Sequence, residues 1–598
     1  MIPRRVSMER TEMSAAGANG KNGLAARGTL AVAFVLAGSA AALAGVTMLI
    51  EEVAAPDSTP PGTSPGVVYD QPGAPVLNAD HQVAFRSLLA GSGVTSSNNR
   101  GIWGEGGGPL ALVARAGAAA AGAGSAVFSD FSYPVLAPVS GGLAPLAFYA
   151  TLTGSGVTGD NNRGLWASLA GTLALIARGG QVPVGGGGAA WYAFGNPAIN
   201  AAGAMAFRGF LTTNSRDSGI WVRSEAGVMT LLARWEDPAP GTPAGTLFTY
   251  FYDPRIGEEG EVTFSASLVG DGTIIVDASN DTGIWSDAGG SLQLVLRSGT
   301  PAPGTPPGVD FFTIGEPAVN SAGQMAFRGN LIGPGITAVN KDGIWSNAAG
   351  SWQLVARTAD PAPQMPAGVV FAELGRVFQN SVGGVAYRGT VAGPGTNESN
   401  DRGVWAHQGG SARLVAQAGQ QAPGADPGVV FAGHFSEPVM NRTGRLAFFA
   451  DLAGPGVDPT NNAGIWLEDP TGQLLLVVRR GQTLGSRVVD GVWLSDLSES
   501  QGDGLTQTFN DRGQITFALS FADGSDGVYA ARAVLPGDLD GDGDVDLSDF
   551  TIFQLCFGGS NNPPAATCPP GVSADLDDDG DVDLADFLIF QQNFTGSL

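Results

Sequence analysis

A glycine, an aliphatic residue and a tryptophan return together at intervals of about sixty residues, ending at Trp103, Trp166, Trp221, Trp285, Trp345, Trp405 and Trp466, and Gly527-Val528-Tyr529 continues the series. A period of this kind constrains the fold more than any other feature. Each unit is one supersecondary element too small to bury its own faces, so copies must pack against one another. The period also explains how 598 residues can belong largely to one architecture, since a repeat core grows by addition.

Upstream of each tryptophan lies a second signature, clearest in Asn320-Ser321-Ala322-Gly323-Gln324-Met325-Ala326-Phe327 and repeated as Asn200/Gly203/Phe207, Asn380/Gly383/Tyr387, Asn441/Gly444/Phe448 and Asn510/Gly513/Phe517. An asparagine able to bond its own backbone, followed by a glycine able to take positive φ, predicts a hairpin turn. One unit then reads as four strands: the stretch from Gly308 to Asn320, then Met325–Leu331, Gly343–Ser346 and Trp352–Arg357, all rich in β-branched, aromatic and apolar residues. Proline-rich connections such as 302–308 cannot extend a ladder and lead to the next unit. With 91 glycines, 14% charged and 43% hydrophobic residues, composition agrees with a turn-rich all-β chain. A net charge of -25 leaves no basic stripe to displace phosphate counterions, which excludes nucleic acid as a partner.

These units predict an all-β fold, a β-propeller of about eight blades over residues 65–535, with an open β-solenoid or a row of small sandwiches as the alternative. The order proline, Asn-x-x-Gly, Ala-Phe, Gly-apolar-Trp resembles the repeat of TolB-type propellers, which implies the same fold. Ring closure has no visible device: the last unit stops near Val534 without a fourth strand, and the first begins with strand one.

No catalytic constellation emerges from the repeats. Of three histidines, His81 fills the slot of Gly323 and reads as a turn residue, His407 follows Trp405, and His434 lies in His434-Phe435-Ser436-Glu437, where closeness in sequence is no evidence of a triad. The arginines ending the fourth strands (Arg115, Arg178, Arg234, Arg297, Arg357 and Arg479, with Gln417 as the exception) are read as structural, the alternative being a cradle for an anion. Ser215-Arg216-Asp217-Ser218-Gly219-Ile220-Trp221 is similar to the hairpin box of sialidase-type propellers but is one residue short, and that box is structural.

Both ends of the chain differ from the repeats. Arg4, Arg5, Arg10, Lys21 and Arg27 precede an uncharged stretch from Thr29 to Ile50, which predicts export, by cleavage after Ala42-Leu43-Ala44 or by retention of residues 1–50 as an anchor, with 51–64 as a proline-rich spacer. At the other end, 536–598 reads Asp538-x-Asp540-x-Asp542-Gly543-Asp544-Val545-Asp546-x-x-Asp549 and again Asp575-x-Asp577-x-Asp579-Gly580-Asp581-Val582-Asp583-x-x-Asp586, with no Glu, Lys or Arg from Gly537 onward. Oxygens at positions 1, 3, 5, 9 and 12 and a carbonyl at 7, from Asp544 and Asp581, suit EF-hand coordination of two calcium ions. Val545 and Val582 would bridge the paired loops.

Aspartate at position 12, and one short apolar helix after each loop (Phe550–Gln554 and Phe587–Gln591), resemble a type I dockerin. That resemblance implies calcium binding and docking to a cohesin-like partner, although Leu547-Ser548 and Leu584-Ala585 stand where cohesin-reading dockerins often carry polar pairs. Cys556 and Cys568, the only cysteines, are expected to form a disulfide in an exported protein. The expected function is a non-enzymatic surface or secreted binding or scaffold protein, its propeller taking a glycan or protein ligand and its tail an attachment module. The alternative is a polysaccharide-degrading glycoside hydrolase or lyase carrying a dockerin.

Overall fold

The computed structural model describes residues 28–32, 46–106, 108–138, 142–214, 216–494, 501–502, 508–577 and 579–596. The basic residues and the cleavage motif of the expected export segment lie outside them.

Four-stranded antiparallel sheets repeat eight times, and together they form an eight-bladed β-propeller. Blade 5 shows the plan. Its first strand is broken into Asp310–Ile314 and Ala318–Val319, followed by Met325–Ile332, Asp342–Ser346 and Gln353–Arg357. First strands of successive blades lie side by side around the axis. In blade 6 that strand runs unbroken over Val370–Gln379.

The Gly-x-Trp string is a packing device. The Trp345 ring stacks on Phe327 of the second strand with centroids 5.8 Å apart and meets Phe311 of the first edge-on at 4.8 Å. It also lies over its own strand, so that a Cβ on Gly343 would sit 2.5 Å from the ring. The buried indole N–H would be costly without an acceptor; Trp345 Nε1 donates to Pro303 O at 3.0 Å, in the connection before its blade. Trp103, Trp405 and Trp466 repeat that bond to Pro61, Pro363 and Pro423. Apolar clusters then join one blade to the next, as where Ile102 and Ala114 of blade 1 meet Phe128, Phe148 and Trp166 of blade 2.

The Asn-x-x-Gly turns do more than reverse the chain. Asn320 Oδ1 accepts from Gln324 N within its turn, while Nδ2 donates across the blade boundary to Asn380 O at 2.9 Å. Asn380 bonds Asn441 O at 2.8 Å, and Asn510 of blade 8 bonds Asn78 O of blade 1 at 3.1 Å, which joins the two ends of the ring.

Ring closure does have a device, in a segment that the sequence expectation gave to the export segment and the spacer. Blade 8 takes its first three strands from Arg487–Trp493, Gln514–Phe521 and Asp526–Val534, and its fourth from Thr47–Ala54, paired antiparallel with Asp526–Val534 so that Ile50 faces Ala531. Met48 and Ile50, each 1% exposed, enter the core shared by blades 7 and 8. Gly28–Val32 adds an outer strand against Thr47–Ala54. The propeller therefore begins before residue 65. Residues 47–50 belong to a blade and not to an export segment, and 51–64 hold the end of that strand and an ordinary connection between blades.

Candidate functional site

The arginines ending the fourth strands are committed to the fold. Arg357 Nε donates to Asn340 O at 2.8 Å, holding the loop between the second and third strands, and Arg115, Arg178, Arg297 and Arg479 do the same in their blades. Gln417 performs the task with Nε2 to Asn400 O at 2.7 Å. Arg234 reaches the Asp217 carboxylate at 2.7 Å instead, which gives that aspartate of the Ser215–Trp221 box a structural partner. His81 takes φ of 64°, as a turn residue must in the place of a glycine, and contacts Gln514 and Arg512 across the seam of blades 1 and 8. Burial holds His407 below its usual pKa, and exposed His434 lies 3.5 Å from Asp451.

In the C-terminal segment each acidic loop runs into a helix, α1 (Leu547–Cys556) and α2 (Leu584–Gln592). Asp546 and Asp583 cap them: each side chain accepts from the backbone two residues on, while Asp549 and Asp586 reach back to the cap N–H. This reciprocal capping satisfies helix N–H groups that would otherwise lack acceptors. Asp549, fully buried, accepts from Leu539 N at 2.6 Å, Asp540 N at 3.0 Å and Asp546 N at 2.9 Å. Asp586 accepts in the same way from Leu576, Asp577 and Asp583. The last aspartate of each loop thus folds the loop around itself.

Val545 and Val582 are buried in one small core with Phe553, Cys556 and Phe590. The apolar bridge expected between the loops is this shared core, while the backbone bonds run elsewhere: Val582 O accepts from Gly558 and Gly559 after α1, and Val545 O from Thr595 and Gly596 after α2. Each loop is tied to the segment behind the other loop's helix. Cys556 and Cys568 form the expected disulfide.

Carboxylate oxygens gather within 4.8 Å of one another in four groups: Asp538, Asp540 and Asp549; Asp542, Asp544 and Asp549; Asp575, Asp577 and Asp579; Asp581, Asp583 and Asp586. All twelve aspartates singled out in the sequence, except the cap Asp546, belong to a group. Burial pushes Asp538 up to about 6 against the opposing charge of Arg532, and burial with the neighbouring Asp549 and Asp542 pushes Asp540 up to about 6. Asp549 and Asp577 are raised as well, burial first and crowding after. An oxygen-only donor set whose members disfavour one another's charge fits a hard divalent cation. Asp544 and Asp581 carry buried carboxylates besides their carbonyls; Asp581 Oδ2 accepts from Asn561 N, and its Oδ1 is buried without a hydrogen-bond partner.

The two loops have different surroundings. The first rests on the propeller: Arg532 of blade 8 reaches Asp538 Oδ2 at 3.2 Å and Gly541 O at 2.8 Å, and a Cβ on Gly543 would lie 2.5 Å from Arg512 O. Asp542 and Asp544 border a cavity of about 210 Å³ with Arg442, Arg445 and Arg512. Around Gly580, the counterpart of Gly543, there is open space. This dependence on the propeller could not be read from the loops, because their own segment contains no basic residue.

A family model described as "Family of unknown function (DUF7453)" matches residues 11–182, 146–358 and 339–537, so its three matches tile the propeller and stop where the acidic segment starts. No curated protein matches the chain. Among solved structures the chain is similar to the β-propeller domain of the Trilobed protease from Pyrococcus furiosus (9% identity, 68% of this chain and 97% of that one, TM-score 0.33). It is similar also to an oligogalacturonate lyase in complex with manganese (10%, 68% and 96%, TM-score 0.30) and to a puromycin hydrolase, of which it spans 61% (12%, 77% of this chain, TM-score 0.36). At such identities a likeness concerns the fold and nothing of activity.

Proposed function

The chain belongs to that family of unknown function (DUF7453), and from this premise we propose that it is an exported, non-enzymatic binding or scaffold protein whose dockerin-like tail is an attachment module folded around two calcium ions. The observation that carries this reading is the pair of acidic loops, each gathering carboxylates in two groups of three within 4.8 Å and each locked to its helix by the same capping arrangement. Calcium, when bound, would supply the positive charge these carboxylates lack. Asp538, Asp540, Asp542 and Asp549 would hold one ion and Asp575, Asp577, Asp579 and Asp586 the other, with Asp544 and Asp581 contributing carbonyls.

Three further observations support parts of the reading. The disulfide suits an oxidising compartment. Cleavage after Ala44 leaves the closing strand Thr47–Ala54 intact, whereas an anchor running to Ile50 would withdraw Met48 and Ile50 from the core. Leu547, Leu584 and Leu588 are 70%, 68% and 56% exposed, an apolar surface suited to a protein partner, although Leu547 and Leu584 stand where cohesin-reading dockerins often carry polar residues. The conspicuous arginines and His81 are occupied by the fold, which favours a binding role over catalysis.

Calorimetric titration of the full chain with calcium tests this. The expected stoichiometry is two, with Asp549→Ala removing one ion and Asp586→Ala the other. A parent that takes up no calcium at millimolar concentration would end the proposal.

A further inference from the structure

The strongest unassigned feature is a cavity of about 540 Å³ between blades 5, 6 and 7, bordered by Arg328, Arg376, Arg388 and Arg402 and by the carboxylates of Asp342, Glu373 and Glu437 among others. In a chain of net charge -25, four guanidinium groups around one cavity require explanation.

Comparison between blades supplies it. Arg208, Arg328 and Arg388 occupy one position, after the aromatic residue of the second strand: each faces the aliphatic residue of Gly-x-Trp, namely Ile220, Ile344 and Val404. A second position, in the first strand, holds Asp253, Glu316 and Glu437, each followed by proline. The arginine of one blade pairs with the acid of the next: Arg208 with Asp253 at 3.2 Å, Arg388 with Glu437 at 2.6 Å. Blade 6 breaks the rule. Where its neighbours carry an acid it carries Arg376, followed by Val377, so the partner that Arg328 would meet is another cation.

The surroundings have adjusted without neutralising the change. Arg328 turns to Asp342 of its own blade at 3.2 Å and stays 43% exposed. Arg402 donates to Gly433 O at 2.6 Å and lies 3.8 Å from Asp401, with 53% exposed. Arg376 is exposed and has no ion pair among the described residues. Placing two like charges at one seam is unfavourable unless something of opposite charge joins them. A guanidinium offers paired N–H donors that match an oxyanion.

We propose that this cavity binds an organic oxyanion, gripped by Arg376 and Arg328 in the place where blades 4, 5 and 7 hold the carboxylates of Asp253, Glu316 and Glu437. The ligand carries a carboxylate, sulfate or phosphate group, and its body fills a volume typical of small-molecule sites and larger than a free inorganic anion needs. Arg388 and Arg402 border the same space but are already held, by Glu437 and by Gly433 O, so the grip on the anion falls to Arg376 and Arg328. The proposal is independent of calcium and of the tail.

The test is calorimetry on the full chain at low ionic strength with three probes: digalacturonate, glucose 6-phosphate and inorganic sulfate. The expected result is binding of at least one organic probe, weakened by salt as screening requires. Preference for the uronate assigns the carboxylate class, and preference for the sugar phosphate the phosphoryl class. Arg376→Glu restores the charge pattern of the neighbouring seams. It should weaken the bound probe at least about tenfold while leaving the melting temperature unchanged or higher and calcium stoichiometry unaltered. A purely structural role for Arg376 would give the reverse, a lower melting temperature with binding retained. Absence of binding by either organic probe at about millimolar concentration, or equal binding by Arg376→Glu, overturns the proposal.

Discussion

Removal of residues 1–54 takes away the strand that completes blade 8, whereas removal of 1–45 spares it. The scale of the difference follows from two side chains. Met48 and Ile50 are each 1% exposed, and burial of such a side chain contributes about 1.5–3 kcal/mol, so together they contribute about 3–6 kcal/mol. The ladder to Asp526–Val534 adds hydrogen bonds, but ordering the strand opposes them. Unfolding entropy is about 2 cal/mol/K per residue, so in a ring of this size that melts as a unit each kcal/mol moves the midpoint by about 1 °C. Scanning calorimetry should therefore place the 1–54 deletion about 3–6 °C below the 1–45 deletion. Ile50→Ala in the full chain should cost about 2–5 kcal/mol. A synthetic peptide of residues 46–55 added to the shorter chain should restore part of the loss, since the vacated edge of Asp526–Val534 accepts a strand. Equal midpoints for the two deletions, with no effect of the peptide, would show that Thr47–Ala54 does not close the ring.

Two further outcomes follow from the geometry. Trp345→Phe removes the donor to Pro303 O and should lower stability by about 1–3 kcal/mol by denaturant titration, while Arg357→Gln, which copies Gln417, should cost less than Arg357→Ala. In excess chelator, the tail should become more stable as pH falls from 7 to 5. Asp538 titrates near 6 when folded, above its unfolded value, so the folded state binds the extra proton. The penalty is complete above that pKa, where it reaches about 3 kcal/mol, and roughly half of it is relieved by pH 5. Protease resistance of the tail against pH reads this, and Asp538→Asn should make the profile shallower, leaving the share of Asp540, which is pushed up to about 6 as well.

The four-strand unit was legible because each of its signals is local: an Asn-x-x-Gly turn, a glycine two residues before a tryptophan, a proline-rich connection. The acidic loops and disulfide were legible for the same reason. Ring closure was not, because Thr47–Ala54 carries Glu51 and Glu52 and continues an apolar stretch that reads as an export segment. A signal existed nonetheless: Pro61-Gly62-Thr63-Ser64-Pro65-Gly66 repeats the connection Pro303-Gly304-Thr305-Pro306-Pro307-Gly308, and such a connection is always preceded by a fourth strand. The bonds from Asn320 to Asn380 and from Asn510 to Asn78 were hidden because each joins two units, and a turn motif says nothing of what faces it. Val545 and Val582 meet in one apolar core, as position 8 of paired loops implied, but the backbone groups that each one bonds lie behind the other loop's helix, and no loop motif names them.

The pairing of Ile50 with Ala531 also fixes an order of events during synthesis. A ribosome delivers Thr47–Ala54 before any blade exists, and the edge it must join emerges only after the eighth repeat. Blades 1 to 7 can assemble as they appear, each on its predecessor, but Thr47–Ala54 has to wait, with Gly28–Val32 as its one neighbouring strand so far, through the production of nearly the whole ring. Loop closure over such a separation is slow compared with the local hairpins. The last step of folding therefore reaches back to the beginning of the chain, and a nascent propeller lacking that step presents Asp526–Val534 as an open edge to any neighbouring strand.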